Sequence, residues 1–372
     1  MPINPTDPRV GAALNTNGTI ADRTIRHALY LERLKTGEAK RVLGLLERHV
    51  FPDLERRFLS QLARMSAGGR PNDTGLFTTN RYREMMKSVA TTVREGYGIA
   101  QRDHRESLLE IASAEVKWQG RVFEDTVPAV IKAEWEVPPL RLLRTVVNER
   151  PFEGKLLSEW FKDSSDNLMR RLNQQLRIGI STGESIPQLM GRLRGVRGRG
   201  GLFGKSRSEI EGIVRTAVAH VQNAAREEMF RANDDVVKGV QWISALDLRV
   251  CRICQAYADR VYALNEGPRP PVHLGDRCVM VAVLKSLREM GIPLDEVDAG
   301  TRASMNGEVA QNVTLASWIR TRPAEEQNRL LGRGIARRVR SGSITIDELN
   351  DATRARFGEP LTLTEVIARE AN

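Results

Sequence analysis

Cysteine, lysine and aromatic residues are all scarce in this chain of 372 residues. Its three cysteines, Cys251, Cys254 and Cys278, fall within 28 residues, and aromatics make up only 5%. An odd trio confined to one stretch cannot pair fully or brace a chain of this length, which excludes a disulfide-stapled scaffold. Few aromatics beside 28% charged residues favour long amphipathic helices over aromatic-rich β-sandwiches. No run approaches the ~20 apolar residues that span a bilayer, and Met1–Ala12 has no basic stretch leading into an apolar one. Neither membrane insertion nor export is expected. Lysine supplies only ten of the 57 basic residues, against 47 acids and a net charge of +10. Guanidinium forks grip phosphate and carboxylate bidentately, so this excess suits nucleic acid or an acidic protein, although arginine-rich codon usage yields the same composition.

Apolar periodicity and turn residues predict a mainly α protein: a helical N-terminal module, a small α+β domain with a zinc knuckle, and a helical tail. Residues 1–19, with Pro2, Pro5 and Pro8, read as an extended arm. Residues 20–194 read as the helical module, with a break at Thr36–Gly37, another at Pro52 and a hinge near Gly96–Gly98. Residues 195–207 are too rich in glycine for a helix and read as a flexible basic linker. Residues 208–300 open with a helix whose Ser208 and Glu211 stand in the capping-box arrangement. Strands follow at Gly239–Ala245, Arg260–Leu264 and Cys278–Leu284. Residues 301–372 read as a helical tail with a turn at Pro323 and short helices at Thr345–Leu349 and Thr362–Ala368.

Two clusters carry chemistry. Cys251-Arg-Ile-Cys254 is followed after eighteen residues by His273-Leu-Gly-Asp-Arg-Cys278. Two thiolates at C-x2-C spacing, an imidazole and a third thiolate form a Cys3His set for structural Zn2+, with Asp276 as an alternative ligand to Cys278. Three buried thiols near a surface histidine are the plainer alternative. Trp242, Asp247, Arg249 and Arg277 flank the cluster as structural support, the charged trio tying its loops together. His27, His49, His104 and His220 lie in predicted helices and read as ordinary helix residues. No P-loop, G-x-S-x-G or dinucleotide-binding glycine motif occurs, and catalytic residues are not expected. The second cluster is basic. Between Glu184 and Glu209 there is no acid, while Arg192, Arg194, Arg197, Arg199, Lys205 and Arg207 supply six positive charges. These are the candidate contacts to nucleic acid, reading phosphate rather than sequence.

The stretch from Arg215 to Val283 resembles the phage Mu F-like minor head proteins, also called head morphogenesis proteins. Arg215-Thr216, Asn223, Ala225-Arg226 and Trp242 meet that family's pattern, as do Asp247, Arg249, Cys251 and Cys254. Pro268, Pro271, His273, Arg277 and Cys278 meet its ending. Asp276 stands where the family often has a cysteine and Leu274 where it has proline. Ile178–Leu193 and Trp318–Leu349 are similar to further family segments. The resemblance implies a non-enzymatic virion protein, made in the host cytoplasm and held inside the phage head near the portal. Its expected partners are the portal and other head proteins and packaged double-stranded DNA. A zinc-knuckle nuclease or a toxin-type effector is the alternative reading.

Overall fold

In a computed structural model the structure describes residues 15–66, 80–128, 131–132, 134–196, 199–291 and 300–357. Of the expected arm, 1–14 lies outside them, as do Arg197 and the expected helix at Thr362–Ala368. The chain is mainly helical, with small antiparallel sheets.

Three long helices dominate: α1 (Thr16–His49), α3 (Asn80–Thr126) and α7 (Leu202–Ala232). Between them lie α2 (Phe51–Ser66), α4 (Leu140–Glu149), α5 (Leu157–Ser181) and α6 (Ile186–Arg194). In α1 the buried positions Ile20, Leu31, Val42 and Leu46 recur at helical spacing, which makes one continuous apolar stripe. That stripe carries the helix straight through Thr36–Gly37, where a break was expected, because Lys35, Glu38 and Ala39 are buried on either side of the exposed glycine. The break before Pro52 is present, between His49 and Phe51. No hinge interrupts α3. A Cβ on Gly96 would lie 2.2 Å from Val50 Cγ2, so this glycine serves the close approach of two packed segments.

The chain separates into two compact units, each discontinuous in sequence, in place of the consecutive blocks expected at 20–194 and 208–300. One comprises the described residues of Met1–Glu32, Ala112–Leu143 and Ala219–Asn372; the other comprises Arg33–Ile111 and Arg144–Val218. Helices of 31 to 47 residues bury different stretches of one apolar stripe in different surroundings, so a single helix contributes to both.

The second unit holds the stretch expected to be a linker. Gly195–Val196 (β1) and Arg199–Gly200 (β2) pair antiparallel, and α7 starts at Leu202, six residues before Ser208. Leu202 and Phe203 are buried, and the Phe203 ring lies 5.0 Å from that of Phe51. Two apolar anchors outweigh the glycine content. A Cβ on Gly201 would lie 2.2 Å from Gly195 N, so the glycine permits the tight return of the chain rather than freeing it.

This unit also buries a charged network. His104 is fully buried with Nδ1 2.7 Å from Glu38 Oε1, and Glu38 accepts two hydrogen bonds from Arg41 at 2.8 Å. Burial holds the His104 pKa below the ordinary 6.5. Burial also opposes the Glu38 charge, yet hydrogen bonds from Arg41 and His104 outweigh it and lower its pKa from 4.5 to about 2. Both folded values lie below the unfolded ones, so both groups contribute stability above those values and lose it on acidification. Urea midpoints of the full chain should therefore decline from pH 6.5 downward, with a further loss between 4.5 and about 2 that Glu38→Gln removes. An unaltered acid limb in that variant would contradict the assignment.

In the first unit, β3 (Val237–Ile243) lies between β4 (Val261–Ala263) and β5 (Val279–Leu284), all antiparallel. Trp242 opposite Met280 and Val240 opposite Ala282 form a fully buried face. The expected tail is not wholly helical, since Thr301–Ser304 (β6) and Gly307–Ala310 (β7) form a hairpin closed by Met305-Asn306. The short helices α8 (Arg252–Tyr257), α9 (Leu315–Arg320), α10 (Ala324–Leu331), α11 (Arg333–Arg340) and α12 (Ile346–Phe357) complete it. Among the described residues no helix is long and apolar enough to cross a membrane.

Candidate metal centre

Two loops next to the β3–β5 sheet bring the cysteines and His273 together. Cys251 is the N-cap of α8, with extended backbone, and its Sγ accepts the Cys254 N–H at 3.4 Å. Cap and third helical position share one side of the first turn, which is why C-x2-C presents two sulfurs to one point. The second loop carries buried Pro268, Pro270 and Pro271 and then His273. His273 Nδ1 lies 3.0 Å from the Leu274 carbonyl, which only accepts, so Nδ1 bears the proton and Nε2 is left as a ligand. Nε2 stands 3.2 Å from Cys251 Sγ and 3.4 Å from Cys254 Sγ. A tetrahedral zinc with ordinary bond lengths separates sulfur and nitrogen ligands by about 3.6 Å.

The ligand atoms form two triads that share Cys254: Cys251, Cys254 and His273 in one, Cys254, Asp276 and Cys278 in the other, each with all atoms within 4.8 Å. This cluster could hold a metal ion. Between the triads is a cavity of only 30 Å³, room for an ion or one water but for no organic substrate. Asp276 is buried with both oxygens engaged, Oδ1 accepting from Cys278 N at 2.9 Å and Oδ2 from Val272 N at 3.0 Å. Its carboxylate ties the second loop, which leaves Cys278 as the less committed fourth donor.

Electrostatics divide the sulfurs. Hydrogen bonds from Cys254 and His273 stabilise the Cys251 thiolate against burial and bring its pKa down to about 4. The hydrogen bond with Cys251 outweighs burial at His273 and raises it to about 9. Cys254 is pushed up by its hydrogen bonds to Cys251 and Cys278 and by burial, and Cys278 by burial. A divalent ion reverses this order, because a coordinating thiol is deprotonated outright.

The flanking residues meet the same centre. Arg277 forks onto Asp247 at 2.6 and 2.9 Å, and the Arg249 backbone N–H donates to Asp247 Oδ1 at 2.8 Å. Arg249 was expected to pair bidentately through its side chain; that side chain is exposed, its backbone N–H makes the hydrogen bond to Asp247, and its charge acts on Asp247 through space. Trp242 Nε1 donates to Ser244 Oγ at 3.1 Å, and Ser244 donates to the Cys254 carbonyl at 3.0 Å while lying 3.4 Å from Cys278 Sγ. Asn223 on α7 donates to the Cys278 carbonyl at 3.3 Å and accepts from Met280 N at 3.2 Å. Ser244 was not singled out from the sequence, since a lone serine at a strand end carries no signal.

No family model, curated protein or solved structure matches this chain. The site is therefore argued from its own chemistry. His27 and His104 contact Glu115 and Glu38, and no histidine other than His273 joins a metal-binding cluster among the described residues.

Three charges of the basic window are paired. Arg192 binds Glu184 through Nε at 2.7 and 2.6 Å, Arg194 forks onto Glu55, and Arg207 donates to Glu47 at 3.0 Å beneath the Phe51 ring. Acids distant in sequence supply the neutralisation that the window itself lacks. Lys205 is exposed, whereas Arg197 and the Arg199 side chain lie outside the described residues.

Proposed function

We propose that this chain is a non-enzymatic structural protein of a tailed-phage head, partnered by portal and head proteins near packaged double-stranded DNA. In this reading one structural Zn2+ pins its α+β domain through Cys251, Cys254, His273 and Cys278. One observation carries it: the three cysteines and His273 behind the family resemblance lie together in two ligand triads that share Cys254. Around them Asn223 on a helix donates to the Cys278 carbonyl, Trp242 on the sheet reaches Cys278 through Ser244, and the Arg277–Asp247 pair joins the two loops. Soft donors around a cavity too small for substrate suit a closed structural site rather than an open catalytic one. The nuclease reading needs an acid-and-histidine metal site separate from the cysteines, and none occurs among the described residues.

Quantitative mass spectrometry of purified particles tests the proposal. The protein is expected in both DNA-filled heads and empty proheads at low copy, synthesised in the host and enclosed with the genome. Its absence from both, or DNA cleavage that depends on the bound metal, would overturn the head-protein reading.

A further inference from the structure

Residues 320–340 contain seven arginines, no lysine and only two acids, Glu325 and Glu326. Arg320, Arg329, Arg333, Arg337 and Arg338 are exposed on α9, α10 and α11, and none has an ion-pair partner among the described residues. Arg340 donates to Gln327 and Asn328, both neutral, and Arg322 lies 4.9 Å from the Trp318 ring. This surface therefore retains the charge that Arg192, Arg194 and Arg207 spend on internal acids.

The helix α11 has arginines that suit the dipole in its last turn but is weakly held at its N-terminus. It has no acid in its first turn, where Arg333 opposes the helix dipole, and no side-chain cap at Gly332. Arg333 and Arg337 repel at i,i+4 spacing. Gly334 lowers helix stability relative to alanine, although a Cβ there would meet nothing. Only Ala336 is buried to hold the helix down. Such a departure from local rules marks a surface selected for something other than folding.

We infer that this surface docks on the phosphate backbone of double-helical DNA. Arg333, Arg337 and Arg340 recur along about 10 Å of one helix. The same length of duplex presents about six phosphates, three on each strand, so the three arginines match the phosphates of one strand. The cluster is entirely arginine, the side chain whose planar fork pairs with phosphate bidentately. Trp318 beside it is buried, which leaves no ring there to stack on a base, so recognition is independent of sequence. The inference rests on neither the metal centre nor the head-protein reading and can fail or hold apart from both.

The test is fluorescence anisotropy of the full chain with a labelled duplex of about 20 base pairs, titrated across salt from about 50 mM upward. Arg333→Ala/Arg337→Ala/Arg340→Ala should weaken binding at least about tenfold and flatten the slope of log affinity against log salt by about 2 to 3 units. The triple lysine replacement should keep the slope within about one unit, because charge and not fold is being read. Arg192→Ala/Arg194→Ala/Arg207→Ala should leave the slope near that of the parent. No binding by the parent at low salt would overturn the inference and point to an acidic protein as occupant. An alanine triple with the parental slope, or a flattening as large in the Arg192 set, would overturn it as well.

Discussion

Full chain purified without chelator is expected to carry one zinc, and Cys251→Ser or Cys254→Ser to lose it together with the fold of the α+β unit. Zinc bound by a Cys3His set at neutral pH contributes roughly 10–16 kcal/mol in small domains, as much as the whole stability of an ordinary domain. The two triads meet at Cys254, so its loss removes a donor from each. Fluorescence of Trp242, which is fully buried and hydrogen-bonded to Ser244, should redshift while the helices of the Arg33–Ile111 and Arg144–Val218 unit persist. The fourth ligand separates in a second pair of variants. Cys278→Ala should lose the metal, whereas Asp276→Asn should keep it and melt lower, because that carboxylate holds two backbone N–H groups. Retention in Cys278→Ala with loss in Asp276→Asn would exchange the two roles. Metal analysis near zero in the parent, with an unchanged melt under chelator, would leave two buried thiols, a half-buried one and no zinc.

The second large effect lies on the same unit, at the ion pair between Arg226 Nε and Glu115 Oε1, 2.8 Å apart with both side chains at most 2% exposed. Burial lowers the Arg226 pKa, yet a guanidinium stays protonated in proteins, so the charge must be matched where it stands. Glu115 matches it and also meets His27 Nε2 at 3.1 Å, while Arg226 Nη1 reaches the Met280 carbonyl at 3.4 Å. Arg226→Met should destabilise the chain by about 3–5 kcal/mol, because a buried carboxylate is left without its counter-ion. Glu115→Leu should do the same from the other side. The double variant Arg226→Met/Glu115→Leu should recover most of the loss, since matched apolar groups avoid both desolvation penalties. Urea denaturation of the four proteins measures this. Additive losses in the double variant would mean that the two charges do not depend on each other.

Much of the architecture was legible from short-range pattern. Pro323 does precede α10, the strands at Val261–Ala263 and Val279–Leu284 fall within the expected stretches, and Val237–Ile243 overlaps its own. Each of these signals acts over a few residues of turn or period. The errors came where a local signal met a tertiary contact. Gly96 read as a hinge because a lone glycine is locally destabilising, yet Val50 packs onto it. The run from Gly195 to Arg207 read as a linker because its glycines outnumber its apolar residues, yet Leu202 and Phe203 are buried and set the start of α7.

The sequence by itself determined the helical class and the donor chemistry of the metal cluster. Hydrophobic period and C-x2-C spacing are properties of neighbouring residues and survive without a fold. Only the tertiary structure decided what surrounds those donors and which charges stay free. Asn223 reaches Cys278 across 55 residues, and Arg194 and Arg207 find Glu55 and Glu47 across 139 and 160. The arginines of α11 meet no such partner among the described residues. Whether an arginine is neutralised depends on which carboxylate the packed helices bring within about 4 Å, and that distance is set by burial of apolar stripes far from either charge.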